Sequence, residues 1–239
     1  VDRARQAAAR AVALDRRLIR TFSANELLLL LEATRWTIAL SLIAFVGGMA
    51  LGLVVAVLRC LPGRLPRWLA IGYITIFQGV PVLLQLFVAF FGLALLGIDV
   101  DPWTAAAVGL SLYASAFLGD IWRGCIAAIP DGQWEAAASL GLRYLPTLRL
   151  VILPQAMRIA IPPTVGFLVQ VVKSTSLASI IGFAELTRVG QQVNNATYQP
   201  FLVFGAVSVI YFALCFPLSL ASQRLEAAMD AGVDRRRGL

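Results

Sequence analysis

The chain has 239 residues, 59% of them hydrophobic and 14% charged, with a mean hydropathy of +0.81. Soluble domains carry about 25% charged residues, so this sequence has too little polar surface to cover a water-soluble globule; a soluble enzyme and a disordered chain are both excluded. It has no histidine, and its net charge of +7 comes almost entirely from arginine, which in so apolar a chain points to basic loops beside anionic lipid and not to nucleic acid. Cys60, Cys125 and Cys215 are scattered and odd in number, and read as small hydrophobes, not as a disulfide framework or metal site. The single lysine, Lys173, lacks the glycines of a phosphate-binding loop.

In chain order, the sequence opens at Val1, not methionine, which leaves room for upstream residues or an alternative start. Residues 1–34 form a basic tail with Arg3, Arg5, Arg10, Arg16, Arg17 and Arg20, either an amphipathic surface helix or a solvated extension. Apolar runs long enough for a membrane-spanning helix follow at about 36–58, 68–98, 102–122, 155–172 and 201–221. The runs are continuous and do not alternate, so they predict helices and not barrel strands. The fold class is therefore an all-α polytopic membrane protein with about five transmembrane helices, in a transmembrane domain over 35–226, ending in a basic tail at 227–239. Arg59, Arg64 and Arg67 lie between the first two spans, and Arg123, Arg143, Arg149 and Arg158 lie in or beside the segment between the third and fourth. The positive-inside rule puts these loops and the C-terminus in the cytoplasm and the N-terminus outside. The basic N-terminal tail conflicts with that rule.

Residues 123–154 contain a short helix with defined ends. Pro130 and Asp131 supply a start and a capping oxygen, and Glu135 lies near the positive end of the helix dipole. Ala136, Ala137 and Ala138 favour helix, and Gly141 can take the left-handed conformation that stops it. Its small residues would let another protein approach the backbone closely; an ordinary connector is the alternative.

Gly132-Gln133-Trp134-Glu135-Ala136-Ala137, then Gly141, then Val151-Ile152-Leu153-Pro154-Gln155-Ala156 resemble the EAA motif of permeases of ATP-binding-cassette (ABC) importers. The polar amino-acid uptake branch is matched further by Gln78-Gly79-Val80-Pro81-Val82-Leu83-Leu84-Gln85, Lys173-Ser174-Thr175-Ser176-Leu177, Gly182-Phe183-Ala184-Glu185-Leu186 and Ala196-Thr197-Tyr198-Gln199-Pro200-Phe201. The resemblance covers roughly 35–226. Gln78 stands where the branch often has arginine, and Gly119-Asp120 where it often has Ala-Glu.

The resemblance implies a type I importer permease in a bacterial inner (plasma) membrane, with Gly132, Glu135, Ala136, Ala137, Gly141, Leu153 and Pro154 as ATPase-coupling residues of a motif centred on a cytoplasmic helix. It implies two ATP-binding subunits that hold ATP and magnesium, with no cofactor in this chain. A second permease subunit, identical or related, and a periplasmic or surface-anchored binding protein that delivers a polar amino acid complete the set.

Polar groups in hydrocarbon normally face a partner or a cavity. Gln78 and Gln85, seven residues apart, would share a helical face around Gly79 and Pro81; they either line the substrate path or bond between helices, worth about 1 kcal/mol per bond. Gln170, Lys173, Ser174 and Thr175 form a second candidate lining; Lys173 would meet a substrate carboxylate or pair with Glu185. Asp120 and Arg123 are at ion-pair spacing, and Gly48-x-x-x-Gly52 permits close helix contact, more simply within one subunit than across a dimer. An ion-coupled carrier or channel is the alternative function, but it would need more ionisable residues deep in the membrane.

Overall fold

The computed structural model describes residues 21–61 and 63–237, with side chains described as far as Met229. Residues 1–20 of the expected basic tail, where a surface helix and a solvated extension are the two readings, lie outside the described residues. The described elements are helical: α1 (Ala24–Cys60), α2 (Arg64–Gly79), α3 (Val82–Leu95, containing a π-turn at Val88–Gly92), α4 (Pro102–Ala127), α5 (Asp131–Ser139), α6 (Leu153–Ser174), α7 (Leu186–Thr197) and α8 (Pro200–Arg237). A helical turn at Tyr144–Thr147 and a π-turn at Leu148–Ile152 lead into α6, and a 3₁₀ turn at Thr175–Ser179 leaves it. Among the described residues, four helices are long and apolar enough to cross a membrane, and the bent pair α2–α3 makes a fifth span if counted as one.

Both ends of the chain differ from the sequence expectation. α1 starts at Ala24, inside the expected tail, because Ser23 and Glu26 form a capping box: the Ser23 amide donates to Glu26 Oε2 at 3.0 Å, and the Asn25 amide to Ser23 Oγ at 3.3 Å. The Phe22 amide donates to Gln199 Oε1 at 3.1 Å and pins this start to the α7–α8 junction. At the other end α8 runs on to Arg237 through the expected tail; Ala227, Ala228, Met229, Ala231 and Arg235 to Arg237 there are strong helix formers.

The expected single span at 68–98 is two helices meeting at 102°. Val80 is extended and Pro81 occupies the cap position of α3, as a proline with no N–H and a restrictive effect on its predecessor requires. The contacts set the depth of this break. In α2, Ala70 and Ile74 pack on Val55, near the Cys60 end of α1. The Tyr73 hydroxyl donates to the carbonyl of Leu112, midway along α4, at 3.0 Å. In α3, Leu86 packs against Gly109, nearer the Pro102 end of α4. The break therefore lies near mid-depth, with α2 on the arginine-rich side and α3 on the other.

The centre of the bundle is a seam between α1 and α4. A Cβ on Gly48 would lie 2.5 Å from Ala114 Cβ, and one on Gly119 would lie 2.8 Å from Val55 Cγ1. Glycine is needed at both positions for the two backbones to approach, so the Gly48/Gly52 pattern serves contact within this chain. Leu40, Ala44, Leu110, Leu118, Phe167 and Val171 are buried around the seam. α4 starts where Asp101 accepts from the Thr104 amide at 3.1 Å and from its hydroxyl at 2.6 Å; these bonds hold the Asp101 carboxyl below its ordinary value. Trp122 donates from Nε1 to Thr164 Oγ1 at 2.9 Å and ties α4 to α6.

Candidate functional site

Two regions carry the residues singled out in the sequence. The first is the segment between α4 and α6. Helix α5 begins at Asp131, but Pro130 takes the cap position and no side-chain oxygen caps it, so Asp131 does not supply the expected capping bond. Its far end follows the expectation: Gly141 has φ +77°, and the amides of Gly141 and Leu142 donate to Ala138 and Ala137 carbonyls at 2.9 and 3.1 Å. These two bonds are a Schellman closure. Ala137 is buried, while Gly132, Glu135, Ala136, Ala138 and Gly141 are exposed. Leu140 is 82% exposed just past the helix.

The inner face of α5 is anchored through Trp134, which joins the small core of Ile129, Ile152 and Ala156. Gln155 Nε2, in α6, donates to Gln133 Oε1 at 3.2 Å. Leu153 and Pro154 open α6, Leu153 half-buried and Pro154 exposed. Glu135 is the fifth residue of α5, beyond its first turn, so the helix dipole reaches it weakly. A helix held on one side and offering alanines, a glycine, a leucine and a carboxylate on the other is shaped for contact with a second protein.

The second region is the α2–α3 break. Gln78, Gly79, Val80 and Pro81 are exposed at its tip. Because the chain turns through 102° between them, Gln78 and Gln85 do not share a helical face. Gln85 Nε2 donates to the carbonyls of Phe77 at 2.8 Å and Val80 at 2.7 Å, filling acceptors that the end of α2 leaves open. Gln85→Leu is thus expected to lower the thermal midpoint of the solubilised protein by removing two bonds worth about 1 kcal/mol each, and Gln78→Leu is not. Equal midpoints for the two variants would show that the amide does not hold the break. Along α6 and the turn that leaves it, Gln170 and Lys173 are exposed, while Ser174 and Thr175 are buried and the Thr175 hydroxyl donates back to the Val172 carbonyl at 2.7 Å.

Comparison with known proteins decides what this architecture is. Residues 48–231 match the family model of the binding-protein-dependent transport system inner membrane component. The chain belongs to that family. It is similar to the L-cystine transport system permease protein TcyB of Bacillus subtilis, with 37% identity over 82% of this chain and 84% of that one. The glutamine transport system permease protein GlnP of Escherichia coli K12 is 34% identical over 84% and 93%. A solved amino acid ABC transporter with histidines superposes with a TM-score of 0.80 at 30% identity, over 84% of this chain and 94% of that one. The chain is thus the membrane permease of an ABC importer, with ATP hydrolysis in separate subunits, and the ion-coupled alternative falls away.

Two charged clusters in the permease differ from or extend the sequence reading. The expected Lys173–Glu185 pair does not form. Glu185 is fully buried: its Oε2 accepts from the Tyr211 hydroxyl at 2.7 Å and its Oε1 from the Arg188 amide at 2.9 Å. Thr37 of α1 donates to the same carboxylate at 3.4 Å and accepts from the Leu186 amide at 3.1 Å. Burial pushes the Glu185 carboxyl above its ordinary value. Sequence reasoning offered no signal for this junction, whose partners lie 26 and 148 residues away. At the arginine-rich end, Asp120 lies 3.5 Å from Arg123, as its spacing suggests, and 3.7 Å from Arg59 of α1.

Proposed function

We infer that the permease translocates a polar amino acid inward across the bacterial inner membrane, pairing with a second permease subunit and two ATP-binding subunits that hold ATP and magnesium. The observation that carries this reading is α5: a short, outward-facing helix of small residues, fixed between two membrane helices at the arginine-rich end, in a chain whose relatives named above are amino-acid permeases. Binding of ATP by the partner subunits would close them and drag α5, biasing the bundle between two arrangements. A periplasmic or surface-anchored binding protein would present the amino acid at the opposite end. The substrate path in this reading runs past the break, where Gln78, Gly79 and Pro81 are exposed near mid-depth, and past Gln170 and Lys173. Lys173 has no carboxylate within ion-pair distance among the described residues and is free to meet the substrate's carboxylate.

The orientation has the arginine-rich end and the C-terminus in the cytoplasm and the N-terminus outside. In intact cells, a Ser139→Cys variant should resist an impermeant thiol reagent and react after permeabilisation; ready labelling from outside would reverse the topology. Substrate class is tested by reconstituting the permease with its ATP-binding and binding-protein partners and screening amino acids for ATP-dependent uptake. Polar amino acids are expected to be taken up, and uptake of none of them would overturn the substrate assignment.

A further inference from the structure

Tyr144 touches two elements at once. Its ring stacks on Trp134 of α5, with centroids 5.7 Å apart and planes 18° from parallel. Its hydroxyl donates to the backbone carbonyl of Cys60, the last residue of α1, at 2.6 Å. The last carbonyls of a helix have no partner within it, so this phenol fills an acceptor that α1 leaves open. Beside it, Arg59 reaches Asp120 and so ties the same helix end to α4.

From this end α1 extends over 37 residues, about 55 Å of helix at 1.5 Å per residue. Along the way it lies against α4 at Gly48 and Gly52, and at Thr37 it meets Glu185 and the start of α7. A displacement of α5 thus has two routes into the bundle. One passes through Ile129, Ile152 and Ala156 to the ends of α4 and α6. The other passes from Trp134 through Tyr144 to Cys60 and along α1.

We propose that Tyr144 is a positioning residue that carries the movement of α5 into α1, so that α1 follows the ATP-binding subunits during transport. The inference rests on α5 being their docking helix. It assigns the phenol hydroxyl, and not only the ring, a part in coupling: the ring holds Tyr144 to α5, and the hydroxyl holds it to α1.

Tyr144→Phe keeps the stack and removes the hydroxyl alone. In the full complex reconstituted in proteoliposomes, this variant should assemble and hydrolyse ATP at the parental rate. Uptake per ATP should fall about fivefold, the scale of one hydrogen bond's net strength. In a Cys125→Ala, Cys215→Ala background, nucleotide trapping should change the maleimide-labelling rate of Cys60 in the parent and leave it unchanged in Tyr144→Phe. Parental uptake per ATP in Tyr144→Phe would overturn the proposal, as would a parental labelling response. Glu135→Lys measured in parallel separates the two levels of the reading. If Glu135→Lys uncouples and Tyr144→Phe does not, the link to α1 is wrong while docking through α5 stands. If Glu135→Lys is also silent, both fall.

Discussion

Gly48→Leu is expected to abolish stable accumulation of the permease, and Gly48→Ala to lower its thermal midpoint in detergent by about 5 °C. A Cβ at this position lies 2.5 Å from Ala114 Cβ and 3.3 Å from backbone atoms of Ala114 and Ser115, so the two helices must separate to admit it. Overpacking of this kind costs about 1–3 kcal/mol, and each kcal/mol moves the midpoint of a chain this size by about 2–4 °C. The partner side can be emptied: Ala114→Gly in the Gly48→Ala background should recover most of the loss. Gly72→Ala serves as the reference, since a Cβ there meets no heavy atom within 4 Å and alanine favours helix by about 1 kcal/mol. A Gly48→Leu protein as stable as the parent would mean that the α1–α4 seam is not where the fold is held.

The second large effect concerns transport and not folding. Gly141→Asp and Glu135→Lys should each leave an inserted permease that no longer couples ATP hydrolysis to uptake. Both positions are exposed, and no heavy atom lies within 4 Å of a Cβ at Gly141. Aspartate tolerates the left-handed backbone better than a β-branched residue does, so α5 should survive. The substitution instead places a charge where close approach is required, at a cost of about 1–3 kcal/mol if it is desolvated without a partner. Because Glu135 lies past the first turn of α5, reversing its charge acts on the docking surface and little on the helix itself.

Much of this organisation was legible in the residues. The apolar runs announced the membrane helices, Gly141 announced the end of α5, and the spacing of Asp120 and Arg123 announced their contact. Gly48 and Gly52 announced a close helix contact, though not that α4 was the partner. The boundaries that were missed have local causes. The first span was expected only from about residue 36, where the uncharged apolar run begins, whereas Ser23-x-x-Glu26 is a helix start that then continues into that run. Gly79 and Pro81 were visible as a weak point, but hydropathy runs straight through them, so a single span was expected where the chain turns through 102°. The role of Gln85 follows only from that turn, which brings its amide onto the carbonyls it caps. The partners of Glu185 and Tyr144 were beyond sequence reasoning because packing sets them. Thr37 is 148 residues from Glu185, and Cys60 is 84 residues from Tyr144.

The central claim is that α5 is the mechanical link to the ATP-binding subunits. Its most direct test is uptake and ATP hydrolysis measured side by side in proteoliposomes containing the permease, its ATP-binding subunits and its binding protein. Assembly is checked by co-purification, and the parent is compared with Glu135→Lys and Gly141→Asp. ATP-dependent uptake is expected in the parent, and in both variants an intact permease that has lost either its ATP-binding subunits or the coupling of their hydrolysis to uptake. Normal coupled transport in both variants would contradict that claim and reduce α5 to a connector between α4 and α6.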